Sequence, residues 1–163
     1  MKKNSYIGYS IALVSGLIVI ASAFLSLIMT SSVGVLSQGD SLFTYLMNST
    51  GSYDPTFNAA LVLYVGAIAL ALVLVVCSVV GLIMTSMTKH SKIFLLIQRI
   101  ASLLSFVLII ISFILLGVHL LSIEAEYFNF TGLGIVAGIL GSLLVIEGVF
   151  LVRNPLREKN SDD

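Results

Sequence analysis

The chain has 163 residues, of which 58% are hydrophobic and only 10% are charged. Soluble domains carry about a quarter of charged residues, so this composition excludes an ordinary soluble domain. The formal net charge is zero, and charge therefore gives no reason to expect a nucleic-acid partner. Four membrane spans of about 20 to 25 residues would leave no room for a separate soluble domain.

The basic residues fall into groups that long apolar runs separate. They precede the first run, lie between the second and third, and follow the fourth: Lys2, Lys3; Lys89, Lys92, Arg99; Arg153, Arg157, Lys159. The other two connections carry only acidic charges. Short loops rich in Lys and Arg stay in the cytoplasm. The pattern therefore predicts an integral protein of the cell membrane with both termini cytoplasmic.

The first predicted element is a membrane span over residues 6–30. Its basic start, its apolar stretch and Ala21-Ser22-Ala23 imitate a cleavable signal peptide. The apolar run continues to Met29, where a mature N-terminus would turn polar. We therefore expect the first span to remain uncleaved.

An outer loop is predicted over residues 31–58, and it contains a short amphipathic segment. Asp40 and Ser41 provide a helix N-cap, and the apolar residues after them share one helical face: Leu42, Phe43, Leu46, Met47. This pattern predicts a short helix lying at the outer membrane interface. The alternative is a loop that packs the same residues onto the ends of the spans.

The remaining elements alternate between spans and short connections. We predict a second span at 59–84, an inner loop at 85–99, a third span at 100–123, an outer loop at 124–131, a fourth span at 132–152 and a cytoplasmic tail at 153–163. Lipid offers backbone amides no hydrogen-bonding partner, so each span must be helical. The fold class is therefore an all-α membrane protein with a single four-span domain, residues 1–163.

Small residues recur at alternating spacings of four and three along each span. The fourth span has the sharpest series: Gly134, Gly138, Gly141 and Gly148. Helices in lipid associate through close contact of small residues, and a heptad repeat keeps one seam facing its partner. This spacing predicts a left-handed up-down bundle of four transmembrane helices. The alternative is that Gly134 and Gly138 mediate dimerisation.

Polar side chains inside the apolar runs are the candidate functional residues. Glu147 is the one acid there, and an ionisable residue at membrane depth is a functional hypothesis. It would either bind a proton or cation, or pair structurally with a group such as Arg99. Gln98 and His119 share the seam of the third span, where His119 either titrates near neutral pH or donates one hydrogen bond.

Signatures of chemistry are missing from the sequence. It has no HExxH motif, no Walker-type loop and one cysteine, so we predict no catalytic residue, no cofactor and no metal site. We expect a non-enzymatic scaffold or accessory subunit that acts through helix–helix and outer-loop contacts. Its partners would be the lipid bilayer and another membrane protein or a second copy. The alternative is a small transporter, channel or ion-coupled component that uses Glu147.

The order of the loops carries one resemblance. A long first outer loop and a short second one give a layout similar to that of claudin-type tetraspan proteins. Members of that family have a Trp and a cysteine pair in the first outer segment, whereas this chain has no Trp and a single Cys. The resemblance therefore covers only the order of spans and loops.

Overall fold

A computed structural model describes residues 2–25, 28–32, 35–38, 41–47, 55–87, 92–122 and 128–152. The helices and strands are, in chain order, α1 (Lys2–Ala21), β1 (Ile28–Ser32), β2 (Val35–Gln38), α2 (Leu42–Met47), α3 (Pro55–Ser86), α4 (Lys92–Ser122), β3 (Phe128–Thr131) and α5 (Leu133–Leu151). A short 3-10 helix, Ser22–Phe24, continues α1.

The described chain is mainly helical, and four of its segments are long and apolar enough to cross a membrane. These segments are Asn4–Phe24, Pro55–Ser86, Ile93–His119 and Leu133–Leu151. At 1.5 Å of rise per residue, each reaches about 30 Å, the thickness of the hydrocarbon layer. The prediction of four helices that are long and apolar enough to span a membrane is confirmed, and their composition is that of an integral membrane protein.

The first helix is shorter than the predicted span, which continued to Thr30. Helical structure stops at Phe24, and Ile28–Ser32 form β1 instead. Asn4–Phe24 already contains 21 residues, enough to cross the hydrocarbon layer. The residues that follow are therefore released to pair as a strand. α4, in contrast, is longer than the predicted third span, because the helix begins at Lys92, within the predicted inner loop.

The two predicted outer loops are joined by a small antiparallel sheet with strand order β2-β1-β3. β1 and β2 form a hairpin in which Ser32 pairs with Val35. β1 also pairs with β3, from Ile28 opposite Thr131 to Ser31 opposite Phe128. No strand was predicted for these residues, because runs this short show no clear alternation of apolar and polar residues and the pairing of β1 with β3 spans most of the chain.

The short helix α2 lies where a helix was predicted. It begins after Ser41, whose side-chain oxygen accepts a hydrogen bond from the Thr44 backbone N–H at 3.2 Å, as an N-cap does. Leu42 is buried, whereas Phe43 is exposed and its ring centroid lies 5.5 Å from that of Phe24. The side chains of Leu46 and Met47 lie outside the described residues.

The four long helices pack so that each has two neighbours. α1 contacts α3 and α5, and α4 contacts the same two helices. Gly8 near the start of α1 meets Gly148 near the end of α5, so these two helix ends lie at the same end of the molecule. We call this end the terminal side, and the opposite end, where the strands connect to α1 and α5, the sheet side.

The contact between α1 and α5 is closest at Gly8 and Gly148. A Cβ atom on Gly148 would lie 2.6 Å from the Ala12 backbone nitrogen and 2.8 Å from the Gly8 carbonyl oxygen. A Cβ on Gly8 would lie 2.6 Å from the Gly148 carbonyl oxygen. These obstacles are backbone atoms, so a side chain at either position would force the helices apart.

We expect Gly148→Ala to lower the free energy of unfolding by about 1–3 kcal/mol, the usual cost of overpacking a core. The measurement is thermal or denaturant unfolding of the full chain in detergent or lipid. Gly117→Ala is the matched control, because a Cβ there meets nothing within 4 Å. Removing a helical glycine there should be neutral or stabilising by about 0.5–1 kcal/mol. Equal effects of both substitutions would contradict the close approach.

Candidate functional site

A row of polar side chains on α4 faces the backbone of α3. Ser105 Oγ donates a hydrogen bond to the Ala67 carbonyl at 3.1 Å, and Ser112 Oγ donates to the Ala60 carbonyl at 2.8 Å. The two serines are seven residues apart, and so are the two carbonyls, because the helices run antiparallel and the same contact repeats after two turns. These bonds join α3 to α4 without a charged residue.

Gln98 and His119 continue this row, one heptad before Ser105 and one after Ser112. The His119 ring lies against Phe57 of α3, with 4.9 Å between the ring centroids. Two polar residues that the sequence placed on one seam therefore lie on one row. At 1.5 Å per residue they are about 30 Å apart along the helix, so they do not form a common site.

Gln98 is a fully buried carboxamide, with 0% of its surface exposed. The repeat places it opposite Leu74, whose carbonyl already accepts a hydrogen bond from Ser78 Oγ at 2.7 Å. Neither Nε2 nor Oε1 of Gln98 has a hydrogen-bond partner among the described residues. A buried amide without partners costs about 1–3 kcal/mol. Within the described residues, Gln98 therefore forms no hydrogen bond that links α4 to another helix.

Tyr64 connects α3 to both α1 and α5 near the sheet side. Its hydroxyl donates to the Gly134 carbonyl at 2.8 Å and lies 2.5 Å from Ser22 Oγ. Gly138 makes room for it, since a Cβ there would lie 2.8 Å from the tyrosine oxygen. Tyr64 has the same spacing as Ala60, Ala67 and Ala71 and lies deeper in its span than the other tyrosines, but its hydrogen-bond partners could not be predicted from that spacing.

The four glycines predicted as packing residues are all buried. Gly148 lies against Gly8 and Ala12, as described above, and a Cβ on Gly141 would lie 2.9 Å from a methyl group of Val19. The glycines of α5 therefore face the rest of the chain, and α1 in particular.

Arg99 reaches the C-terminal end of α5. Its Nη2 donates to the Val152 carbonyl at 3.2 Å, and its guanidinium carbon lies 5.1 Å from the centroid of the Phe150 ring. A cation at a helix C-terminus is favourable because unpaired carbonyls and the helix dipole make that end negative. Arg99 thus stabilises the end of α5, and it forms no ion pair with Glu147.

Glu147 lies on an exposed side of α5. Its side chain is exposed, and within the described residues it forms no hydrogen bond or ion pair. The structure therefore does not bring Glu147, Gln98 and His119 together. No group of three His, Cys, Asp or Glu residues that would hold a metal ion occurs in the described ranges.

A small apolar pocket lies where α1, α2 and α3 meet. Its volume is about 130 Å³, and it is lined by Ala23, Leu42, Phe43, Val65 and Ile68. None of these side chains offers an acid, a base or a nucleophile, so the pocket has no group for catalysis.

No protein-family model matches the chain, and no curated protein matches it.

We expect Gln98→Met to raise the free energy of unfolding by about 1 kcal/mol, because it removes an unpartnered buried amide and nearly conserves side-chain volume. Chemical unfolding in detergent would measure the change. Gln98→Glu, which places a carboxyl group at the same position, should lower stability. A loss of stability in the Met variant would show that the carboxamide has a partner, such as a buried water molecule.

We expect Ser105→Ala and Ser112→Ala each to lower the free energy of unfolding by about 0.6 kcal/mol, a typical value for interhelical hydrogen bonds in membranes. Ser102→Ala is the matched control on the same face of α4. Its hydroxyl donates to the Arg99 carbonyl of its own helix, so its loss breaks no bond between helices. Steric-trapping or denaturant titration would measure the differences, and an equal loss in the control would contradict the assignment.

Proposed function

We propose that this protein is a non-enzymatic scaffold or accessory subunit of a membrane complex. It acts through contacts of its helices and its outer loops with another membrane protein. The proposal is supported by the contacts between the helices, where hydroxyl groups donate hydrogen bonds to backbone carbonyls and glycines let the backbones approach closely. An interior packed in this way is expected of a rigid protein that binds partners on its surface. It is less expected of a protein that opens a pathway for ions or solutes.

The proposed arrangement is an up-down, left-handed bundle of α1, α3, α4 and α5. Its support is the heptad spacing of the interhelical contacts and the two neighbours of each helix. We propose that both termini are cytoplasmic in the cell membrane, because the basic residues of the described helices, Lys2, Lys3, Lys92 and Arg99, lie towards the terminal side. In this arrangement the exposed ring of Phe43 lets α2 rest at the outer interface.

The outer sheet supports a role for the loops in binding. β2 and β3 are the edge strands of the described sheet. Edge strands present backbone N–H and C=O groups to which a partner can add a strand. We propose that these edges are a second contact surface, beyond the membrane-spanning helices.

The alternative of a small transporter, channel or ion-coupled component would need Glu147 to line an interior path. Its outward position gives that role no support, since ionisable residues of transport pathways face the interior of the helices or a water-filled cavity. Gln98 and the serine hydroxyls alone make a poor polar lining.

The test has two parts, both with the full-length chain. Purification in mild detergent should recover a membrane protein in a fixed ratio to this chain, because a scaffold or accessory subunit has a stoichiometric partner. Liposomes containing the purified protein should show no more proton or cation flux than protein-free liposomes. Flux that Glu147→Gln abolishes would favour the alternative, and the absence of any partner would contradict the proposed function.

A further inference from the structure

The apolar pocket where α1, α2 and α3 meet lies at one end of the membrane-spanning part of the chain. Its wall on α1 is Ala23, one residue before Phe24, where the first candidate span ends. The other walls come from α3 and from α2, which lies over the pocket on the sheet side. We call this cavity of about 130 Å³ the α2 pocket.

The α2 pocket is built for an apolar occupant. Every side chain that lines it is a hydrocarbon: Ala23, Leu42, Phe43, Val65 and Ile68. A buried water molecule needs polar groups to bond with, and an apolar cavity stays dry but takes up apolar molecules. A cavity of about 150 Å³ holds a benzene molecule, so the α2 pocket has room for roughly six carbon atoms.

The rim of the α2 pocket is continuous with the apolar surface of the spans. Phe43 and Val65 are exposed by 51% and 38%, and the exposed ring of Phe24 lies 5.5 Å from that of Phe43, centroid to centroid. One heptad further into the spans, Leu17 follows Phe24 on α1 and Leu72 follows Val65 on α3, and both are exposed. The pocket therefore opens to the side on which α1 and α3 face hydrocarbon.

This position decides which molecule can fill the pocket. A void beside an apolar wall forfeits the dispersion contacts of that wall, and the molecules that surround a span are lipid acyl chains. A chain of methylene groups is narrow enough to enter from the adjacent bilayer. A partner helix is about 10 Å across and is too wide for a cavity of this volume.

α2 distinguishes this site from the remaining lipid-facing surface. Elsewhere two neighbouring helices form a shallow groove, whereas here Leu42 and Phe43 add a third wall. Leu42 is itself buried to 1% exposure, so α2 is held firmly against α1 and α3. An acyl chain can therefore enter only beneath α2, with its head group beside that helix.

We propose that the α2 pocket binds one acyl chain of a phospholipid from the leaflet on the sheet side. The site is separate from the helix and strand surfaces that would contact a protein partner. It therefore goes beyond the accessory function and does not depend on it.

The test uses the fact that the chain contains no tryptophan. Phe43→Trp places a single fluorophore in the lining of the pocket. Val107→Trp is the matched control, because Val107 is exposed on α4, and the hydrogen-bonded pairs of α3 and α4 place it level with Val65. Each full-length protein is reconstituted with phosphatidylcholine brominated on its acyl chains, which quenches tryptophan on contact, and is then transferred to detergent.

Phe43→Trp should remain quenched after the transfer, because the chain in the pocket is retained. Val107→Trp should regain its full emission, because detergent replaces the lipid on an open surface. Equal recovery of emission in both variants would overturn the proposal. So would cross-linking between copies that depends on an unfilled pocket, because the occupant would then be a second copy of the chain.

Substitutions that fill the pocket separate a bound chain from general effects. Ala23→Leu and Ile68→Phe, each combined with Phe43→Trp, add carbon atoms inside the pocket and should abolish the retained quenching. Ala69→Leu adds the same volume as Ala23→Leu, but on an exposed position of α3, and should leave the quenching intact. Circular dichroism and elution volume show which variants fold. Quenching that persists in a folded pocket-filling variant would contradict the assignment of the site.

Discussion

Lipid supplies no hydrophobic force between helices, so the four long helices depend on close approach of their backbones. The clearest instance is the crossing of α1 and α5, where Gly8 and Gly148 leave no space for a Cβ atom. Because no water is present to solvate polar groups, the interior hydroxyls also bond to backbone carbonyls. Ser105 and Ser112 of α4 meet this requirement by donating two equivalent hydrogen bonds to backbone carbonyls of α3.

The two faces of α5 differ in composition and in what they contact. One face carries the glycines that contact α1, and the other carries apolar residues with a single carboxylate. Arg99, the obvious candidate to neutralise Glu147, instead caps the end of α5 and lies over Phe150. Arg99 thus contacts its own chain, although its Nε has no partner among the described residues, whereas Glu147 is exposed.

Hydropathy alone was enough to predict the four membrane-spanning helices, because each run is long, apolar and bounded by polar residues. The spacing of small residues also indicated which face of each helix to examine. The sheet could not be predicted, since β1 pairs with β3 across most of the chain and neither strand exceeds five residues. The exposed position of Glu147 was predictable from its two-residue offset from Val145, a member of the packed row. Its depth in the span instead favoured an ion-binding or paired carboxylate.

The pairing of β1 with β3 also imposes an order on assembly. Thr131 is made about 100 residues after its partner Ile28, which corresponds to roughly 5–20 s of synthesis. β3 lies between α4 and α5, so this edge of β1 has no partner strand until α4 and β3 have both been made. The sheet can therefore close only after three of the four long helices, α1, α3 and α4, have been synthesised.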